Sequence, residues 1–174
     1  MEEEIILVDE NDKEVGIGEK LEVHRQGKLH RAFSILIFNS KGEILIQKRP
    51  RSKYHSAGLW SNTCCSHPRS NETLKEAVNR RLKEEMGIEG VECQLKEIFS
   101  FVYRVDLGNL TEYELDHVFI GEFDGTPKPD KREVEDWKWI SPRELRKDIK
   151  ENSEKYTYWF KIILDKAEQS RKVN

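Results

Sequence analysis

The sequence predicts an α+β fold: a mixed β-sheet core flanked by helices, with an N-terminal extension and helices at the C-terminal end. Three observations predict it. An apolar run rich in β-type residues, Arg31 to Asn39, has the length and composition of a central strand. The elements read in the order strands, helix, strands, helices, which segregates the two kinds. The chain has 174 residues, 36% of them hydrophobic, which is enough for one core. With no internal repeat, low-complexity block or Pro/Gly linker, residues 1–174 are expected to form one domain.

In chain order, Glu4 to Asp9 reads as a short strand, and Glu19 to Gly27 as a short polar helix or loop. After the strand at Arg31 to Asn39, Ser40-Lys-Gly-Glu43 has turn chemistry, and Ile44 to Gln47 returns as the second strand of a hairpin. Arg49 to Asn71 contains Pro50, Gly58 and Pro68 and has no helical period. It reads as a long loop with a short strand around Trp60, and a loop of that length in a compact domain is usually functional. Asn71 reads as a helix N-cap with Glu72 in the first turn. The helix carries an apolar stripe of Leu74, Ala77, Val78 and Leu82, runs to about Met86 and stops at Gly87. Strands are expected near Gln94 to Tyr103, Tyr113 to Phe123 and Glu135 to Trp139. Ser141-Pro142 opens a helix with Pro at its first position. A last helix covers about Ser153 to Ala167, with Trp159, Phe160, Ile162, Ile163 and Leu164 facing inward.

Composition excludes several functions. Thirty basic and 33 acidic residues leave a net charge of -3, which argues against a nucleic acid or membrane surface found by bulk electrostatics. No apolar run approaches the ~18 to 20 residues of a membrane span. The acidic start, Met1-Glu2-Glu3-Glu4, does not read as a secretory signal. Cys64, Cys65 and Cys93 are an odd number and too few for a disulfide scaffold. A soluble protein of the reducing cytoplasm is expected, as a monomer or weak homodimer.

Three local patterns carry chemistry. Arg81 and Glu85 are i, i+4 neighbours on or beside the apolar stripe of their helix. Periodicity leaves two readings open: a surface ion pair, or a phosphate-binding arginine beside a metal-binding carboxylate. Glu112 and Glu114 are two apart on a strand, so both project from one face. Such like charges are costly unless solvated or neutralised by a cation. Cys64 and Cys65 are adjacent on extended backbone, so one can line a cleft while the other packs. Cys93 reads as buried filler, and His55 and His117 as ordinary surface or core residues.

Residues 66–88 resemble the Nudix box. Glu72, Arg80, Leu82, Glu84, Glu85, Gly87 and Ile88 match it; Ser66 stands for the first glycine, and Arg81 for the glutamate after Arg80. The resemblance implies a Nudix-type fold that handles diphosphates. The reversed charge at Arg81 argues against ordinary diphosphate hydrolysis. Four flanking motifs are similar to those of the type 1 isopentenyl-diphosphate isomerases. They are Leu29-His-Arg-Ala-Phe-Ser34, Trp60-Ser-Asn-Thr-Cys-Cys-Ser-His-Pro68, Glu112-Tyr-Glu-Leu-Asp116 and Tyr158-Trp-Phe-Lys-Ile-Ile163. In the last, Tyr158 stands where the family motif has Pro.

This second resemblance implies the conversion of isopentenyl diphosphate to dimethylallyl diphosphate, by protonation and deprotonation, in isoprenoid biosynthesis. It assigns Cys65 and Glu114 as acid and base on opposite faces of the substrate, in an order it leaves open. Tyr103 becomes a hydrogen-bonding helper and Trp159 a cation–π partner. Lys20, Arg49, Lys53 and Arg81 match the diphosphate-binding positions. His24, His30, His67, Glu112 and Glu114 match a site for one Zn²⁺ or Mn²⁺. Glu85 is expected to share Mg²⁺ with the diphosphate. A cation cluster near Cys65 is expected to lower its pKa from the ordinary ~8.5. Two other readings compete. One is a Nudix hydrolase of a nucleoside diphosphate-type substrate, supported by the partial box. The other is a non-catalytic metal- or ligand-binding module on the same fold.

Overall fold

The structure, a computed structural model, describes residues 3–53 and 55–172. The elements in order are β1 (Glu4–Val8), β2 (Glu14–Glu19), α1 (Lys20–Gln26), β3 (His30–Phe38), β4 (Ile44–Lys48), β5 (Trp60–Ser61), β6 (Cys64–Ser66), α2 (Leu74–Met86), α3 (Gly90–Cys93), β7 (Lys96–Asp106), β8 (Thr111–Glu122), β9 (Asp136–Ile140), α4 (Pro142–Glu151), a 3₁₀ turn (Ser153–Lys155) and α5 (Tyr158–Lys172).

Strand β3 organises a nine-stranded mixed sheet. One of its edges pairs in parallel with β8 along its whole length, from His30↔Glu114 to Phe38↔Glu122. The opposite edge is shared end to end by β1 at His30, β6 at Phe33 to Ile35, and β4 at Ile37 and Phe38. β7 extends the sheet beyond β8, and β9 beyond β4.

The period of two along β3 separates two cores. Phe33, Ile35 and Ile37 pack with Ala77, Val78, Leu82 and Met86 of α2. Leu36, on the other face, packs with Val118, Leu145, Tyr156, Trp159, Phe160 and Ile163 beneath α4 and α5. His30, Ala32 and Ser34 share the parity of Leu36, so their side chains belong to the α5 side of the sheet. Paired to β3, Glu114 and Cys65 stand opposite His30 and Ser34. The fold thus delivers both residues to one face.

Several expectations are corrected. The N-cap of α2 is Thr73, whose hydroxyl accepts from the Glu76 amide in a reciprocal capping box; Asn71 instead sits in the preceding turn at φ 67°. Residues 14–19 form a strand with no sequence signal, because Glu14-Val-Gly-Ile-Gly-Glu19 pairs through its backbone with β1 and leaves Val15 and Ile17 exposed. The stretch from Arg49 to Asn71 holds two short strands, not one. The expected last helix is broken: a 3₁₀ turn covers Ser153–Lys155, and α5 begins at Tyr158, with Trp159, Phe160 and Ile163 buried and Ile162 and Leu164 partly buried. The expected strand from Gln94 begins at Lys96, behind the single turn of α3.

The Nudix-box residues divide by task. Arg80 grips Glu72 through two hydrogen bonds of 2.6 and 2.7 Å, tying the approach loop to α2. Gly87 ends α2 in the left-handed region at φ 64°, and a Cβ there would collide with the Lys128 carbonyl oxygen. Gly87→Ala should therefore cost more than about 1 kcal/mol, since strain in that region alone costs ~1–2 kcal/mol. Chemical denaturation should show the midpoint falling; an unchanged midpoint would contradict the reading of this turn.

Candidate active site

The five metal candidates converge. One ligand atom from each of His24, His30, His67, Glu112 and Glu114 lies within 4.8 Å of the others, and all five residues are buried. They come from α1, β3, the end of β6 and β8, so the sheet register creates the cluster. The three imidazole centroids are 4.6, 4.9 and 5.3 Å apart.

Tautomers are set by backbone carbonyls. His24 Nδ1 lies 2.6 Å from the Lys20 carbonyl, and His30 Nδ1 lies 2.9 Å from that of Lys28. A carbonyl only accepts, so each Nδ1 carries the proton and each Nε2 turns a lone pair toward the cluster. His30 Nε2 is 3.2 Å from His67 Nε2, which is itself 2.9 Å from Glu114 Oε1. Glu112 Oε2 is buried with no hydrogen-bond partner among the described residues. Lone pairs and carboxylate oxygens packed this closely lack the protons to satisfy one another, and the five residues form a group that could hold a metal ion.

Charges in the cluster follow the same logic. Burial opposes ionisation of Glu114, but the adjoining His30 and His67 outweigh it and hold its pKa well below the usual range. Burial and the neighbouring Glu114 likewise oppose the charge on Glu112, and the His24 and His55 contacts prevail. Burial discourages a charged His24, yet Glu112 raises its pKa. For His67 burial wins, and its pKa falls to about 4.

Beside the cluster opens a cleft of roughly 590 Å³, part of it open to solvent. Cys65, Glu114, Tyr103 and Trp159 line it together with all four expected cations: Lys20, Arg49, Lys53 and Arg81. Cys64 is fully buried in the α2 core while Cys65 keeps partial access, as the alternation of an extended strand requires. Cys93 is buried in the same core as Cys64.

The expected lowering of the Cys65 pKa is overturned. Burial pushes it up to about 12, and the Arg49 charge only moderates the rise. Tyr103, also raised by burial, donates its phenolic proton to Glu114 Oε2 at 2.6 Å. At rest, therefore, the thiol holds its proton and Glu114 is an ionised acceptor. Trp159 is fixed by an indole hydrogen bond to Ser61 Oγ at 3.2 Å. Tyr158 in place of Pro does not remove it from the cleft: Tyr158 is the first residue of α5, and its exposed side chain leaves Trp159 facing inward.

The cations each have an anionic or polar partner. Lys20 pairs with Glu3 at 2.9 Å, and Lys53 with Glu133 at 2.6 Å. Arg81 pairs with Glu85, with Glu84 at 2.8 Å and with Glu133 at 3.2 Å. The Arg49 guanidinium lies 5.4 Å above the Trp159 ring. Glu85 is buried and accepts from Gln47 at 2.8 Å, so the alternative of a plain surface pair with Arg81 does not hold.

Three cleft residues were missed by sequence reasoning. Gln47 braces Glu85 and the Thr63 carbonyl, and its polarity at the end of an apolar strand was a usable signal. Glu133 bridges Lys53 and Arg81 from the loop before β9, with no sequence signal. His55, read as an ordinary residue, instead contacts Glu112 at 2.8 Å. His117 lies outside the cleft, between Glu97 at 2.7 Å and Asp12 at 3.1 Å.

Comparison with known proteins agrees with this geometry. The NUDIX domain model matches residues 28–160. Isopentenyl-diphosphate Delta-isomerase 1 of Aromatoleum aromaticum is 54% identical, over 96% of this chain and 93% of that protein. Isopentenyl-diphosphate Delta-isomerase 2 of the same organism is 49% identical, over 100% of this chain and 91% of its own length. Among solved structures, DR0079 from Deinococcus radiodurans aligns over 98% of both chains with a TM-score of 0.77 at 22% identity, a likeness of fold alone. The MutT protein from Methanosarcina mazei Go1 aligns over 83% of this chain and 96% of that one, with a TM-score of 0.68 and 22% identity. A cleft with a thiol, a buried His/Glu cluster and an arginine in the Nudix box is thus set in a sequence sharing about half its residues with these relatives, and the chain belongs to the isopentenyl-diphosphate Delta-isomerase family of NUDIX proteins.

Proposed function

We propose that this chain interconverts isopentenyl and dimethylallyl diphosphate for isoprenoid biosynthesis, by adding a proton at one carbon and removing another two carbons away. The observation that carries the reading is the shared cleft: a protonated thiol and an ionised carboxylate line it together with four cations. The diphosphate is held by Lys20, Arg49, Lys53 and Arg81, which places the five-carbon tail among Cys65, Tyr103, Glu114 and Trp159.

The residues divide the chemistry as follows. Cys65 and Glu114 exchange protons with the alkene, the thiol entering as acid and the carboxylate as base in the resting state described above. Tyr103 holds Glu114 Oε2 in place and steadies its charge. The tertiary cation formed by protonation meets the π face of Trp159, a ring whose affinity for cations is already used by Arg49. Helix α5 walls the cleft, limiting water that would trap that cation.

His24, His30, His67, Glu112 and Glu114 would hold one Zn²⁺ or Mn²⁺, and Glu85 would serve as a carboxylate ligand for the Mg²⁺ that accompanies the diphosphate. When bound, these ions supply positive charge that orders the carboxylates and neutralises the substrate head. A monomer or weak homodimer is expected, in the reducing cytoplasm, where Cys65 stays a thiol. The substrate is a small molecule, and no nucleic acid or membrane enters the reaction.

The test is direct. Metal-replete protein incubated with isopentenyl diphosphate should form the acid-labile allylic isomer without releasing phosphate. Release of inorganic phosphate, or of a monophosphate from a nucleotide panel, would favour the hydrolase reading instead. Removing metal with a chelator should abolish turnover, and restoring Zn²⁺ or Mn²⁺ with Mg²⁺ should return it; full activity after verified metal removal would contradict the metal assignment.

A further inference from the structure

Resting on the metal reading above, we infer that His55 is a positioning residue that links the diphosphate-gripping loop to the metal ligand Glu112. Glu112 uses its two oxygens differently. Oε1 lies 2.8 Å from His55 Nε2, whereas Oε2 faces Nε2 of His24, a member of the ligand cluster, at 3.5 Å. An ionised carboxylate only accepts, so His55 Nε2 carries the proton it shares with Oε1. Nδ1 then accepts from the Ser56 hydroxyl at 3.3 Å. Holding one oxygen from outside turns the other toward the ion, the arrangement by which outer partners orient metal ligands.

The other side of His55 contacts Arg49, one of the cations assigned to the diphosphate. Its backbone carbonyl accepts a hydrogen bond from Arg49 at 3.2 Å. Its ring packs edge-on against Trp159, with centroids 5.9 Å apart at 73°, and the Arg49 guanidinium lies over that same indole. Arg49 and Lys53, on the same loop, grip the diphosphate. Seating an anion on these cations fixes Arg49, which fixes the loop at His55, which fixes Oε1 of Glu112. The two sites are therefore coupled through direct contacts. By linkage, each occupant must raise the affinity for the other by the same factor.

The experiment measures Zn²⁺ affinity by competition with a chromogenic chelator, with and without magnesium pyrophosphate, for the wild type, His55→Ala and His55→Gln. Circular dichroism melts of the metal-free proteins check folding. Pyrophosphate should tighten Zn²⁺ binding in the wild type. His55→Ala should bind Zn²⁺ about 10- to 100-fold more weakly and lose the pyrophosphate effect. His55→Gln, whose amide can still donate to Glu112, should recover most of both and serves as the readout if the alanine variant does not fold. In turnover, His55→Ala should lose mainly kcat at saturating metal, with a smaller rise in KM. Wild-type Zn²⁺ affinity in His55→Ala, or a pyrophosphate effect that is absent from the wild type or survives in His55→Ala, would overturn the inference while leaving the isomerase reading intact. Failure of the wild type to bind Zn²⁺ would instead remove the metal reading on which it rests.

Discussion

Glu114→Gln is expected to lower kcat by about a thousandfold or more, with a much smaller change in the KM for isopentenyl diphosphate. General acid–base groups contribute about 10²- to 10⁴-fold, and this substitution also removes a ligand oxygen from the His/Glu cluster. Glu114 Oε1 sits 2.9 Å from His67 Nε2, and Oε2 receives the Tyr103 proton at 2.6 Å. A carboxamide offers one acceptor and one donor where the site is built for two acceptors. The head-group cations lie on other elements and are untouched, which is why KM should hold. Steady-state kinetics with verified metal content checks this; kcat within tenfold of wild type would show that Glu114 is not the proton-transfer carboxylate. Tyr103→Phe removes only the brace, so its loss should be smaller, on the order of 10- to 100-fold.

The second large effect is at Cys65. Cys65→Ala should abolish measurable turnover, a loss of about 10³-fold or more, while leaving the melting temperature nearly unchanged. The loss of stability should be small because Cys65 is only partly buried at the edge of the α5-side core, whereas Cys64 is the fully buried cysteine of the α2 core. Cys65→Ser keeps a proton of lower acidity in the same place and should retain a small residue of activity. Because burial pushes the Cys65 pKa up to about 12, the free enzyme should be alkylated by iodoacetamide at pH 8 more slowly than an ordinary exposed cysteine. Rapid alkylation, or a rate that levels off by pH 8 to 9 because the thiolate is already fully formed, would contradict a protonated resting thiol.

The parts of the fold that were legible in the sequence are those where one local rule dominates. The β3 strand, the α2 stripe and the Gly87 stop each follow from periodicity or backbone freedom, and the structure has them where expected. Elements set by long-range pairing were not legible. Strand β2 exists because its backbone completes β1, and β6 because it fills the edge of β3 between β1 and β4. In β2, Val15 and Ile17 alternate but stay exposed, and β6 is only three residues long. The split of the final helix depends on Thr157, whose amide donates to the Trp60 carbonyl at 2.9 Å, a contact between distant parts of the chain.

At the site, residues within recognisable motifs were found, and residues acting through neighbours were not. The spacing of Glu112 and Glu114 left solvation or a cation open, and the motif resemblance named the ligand set; Gln47, His55 and Glu133 acquire meaning only when the sheet brings Glu85, Glu112 and Lys53 to them. The Cys65 pKa was misjudged for a related reason. Sequence shows which charges are nearby in the chain, but burial in a cleft floor is a property of the assembled fold, and here it outweighs Arg49.

The claim on which the account depends is that protons reach and leave the substrate through Cys65 and Glu114 while the diphosphate stays intact. Running the reaction in D₂O and following it by proton, deuterium and phosphorus NMR tests it most directly. The account predicts deuterium in a methyl group of the allylic product, with both phosphorus resonances of the diphosphate retained. Product carrying no deuterium at early times, or phosphate released in step with substrate loss, would contradict it.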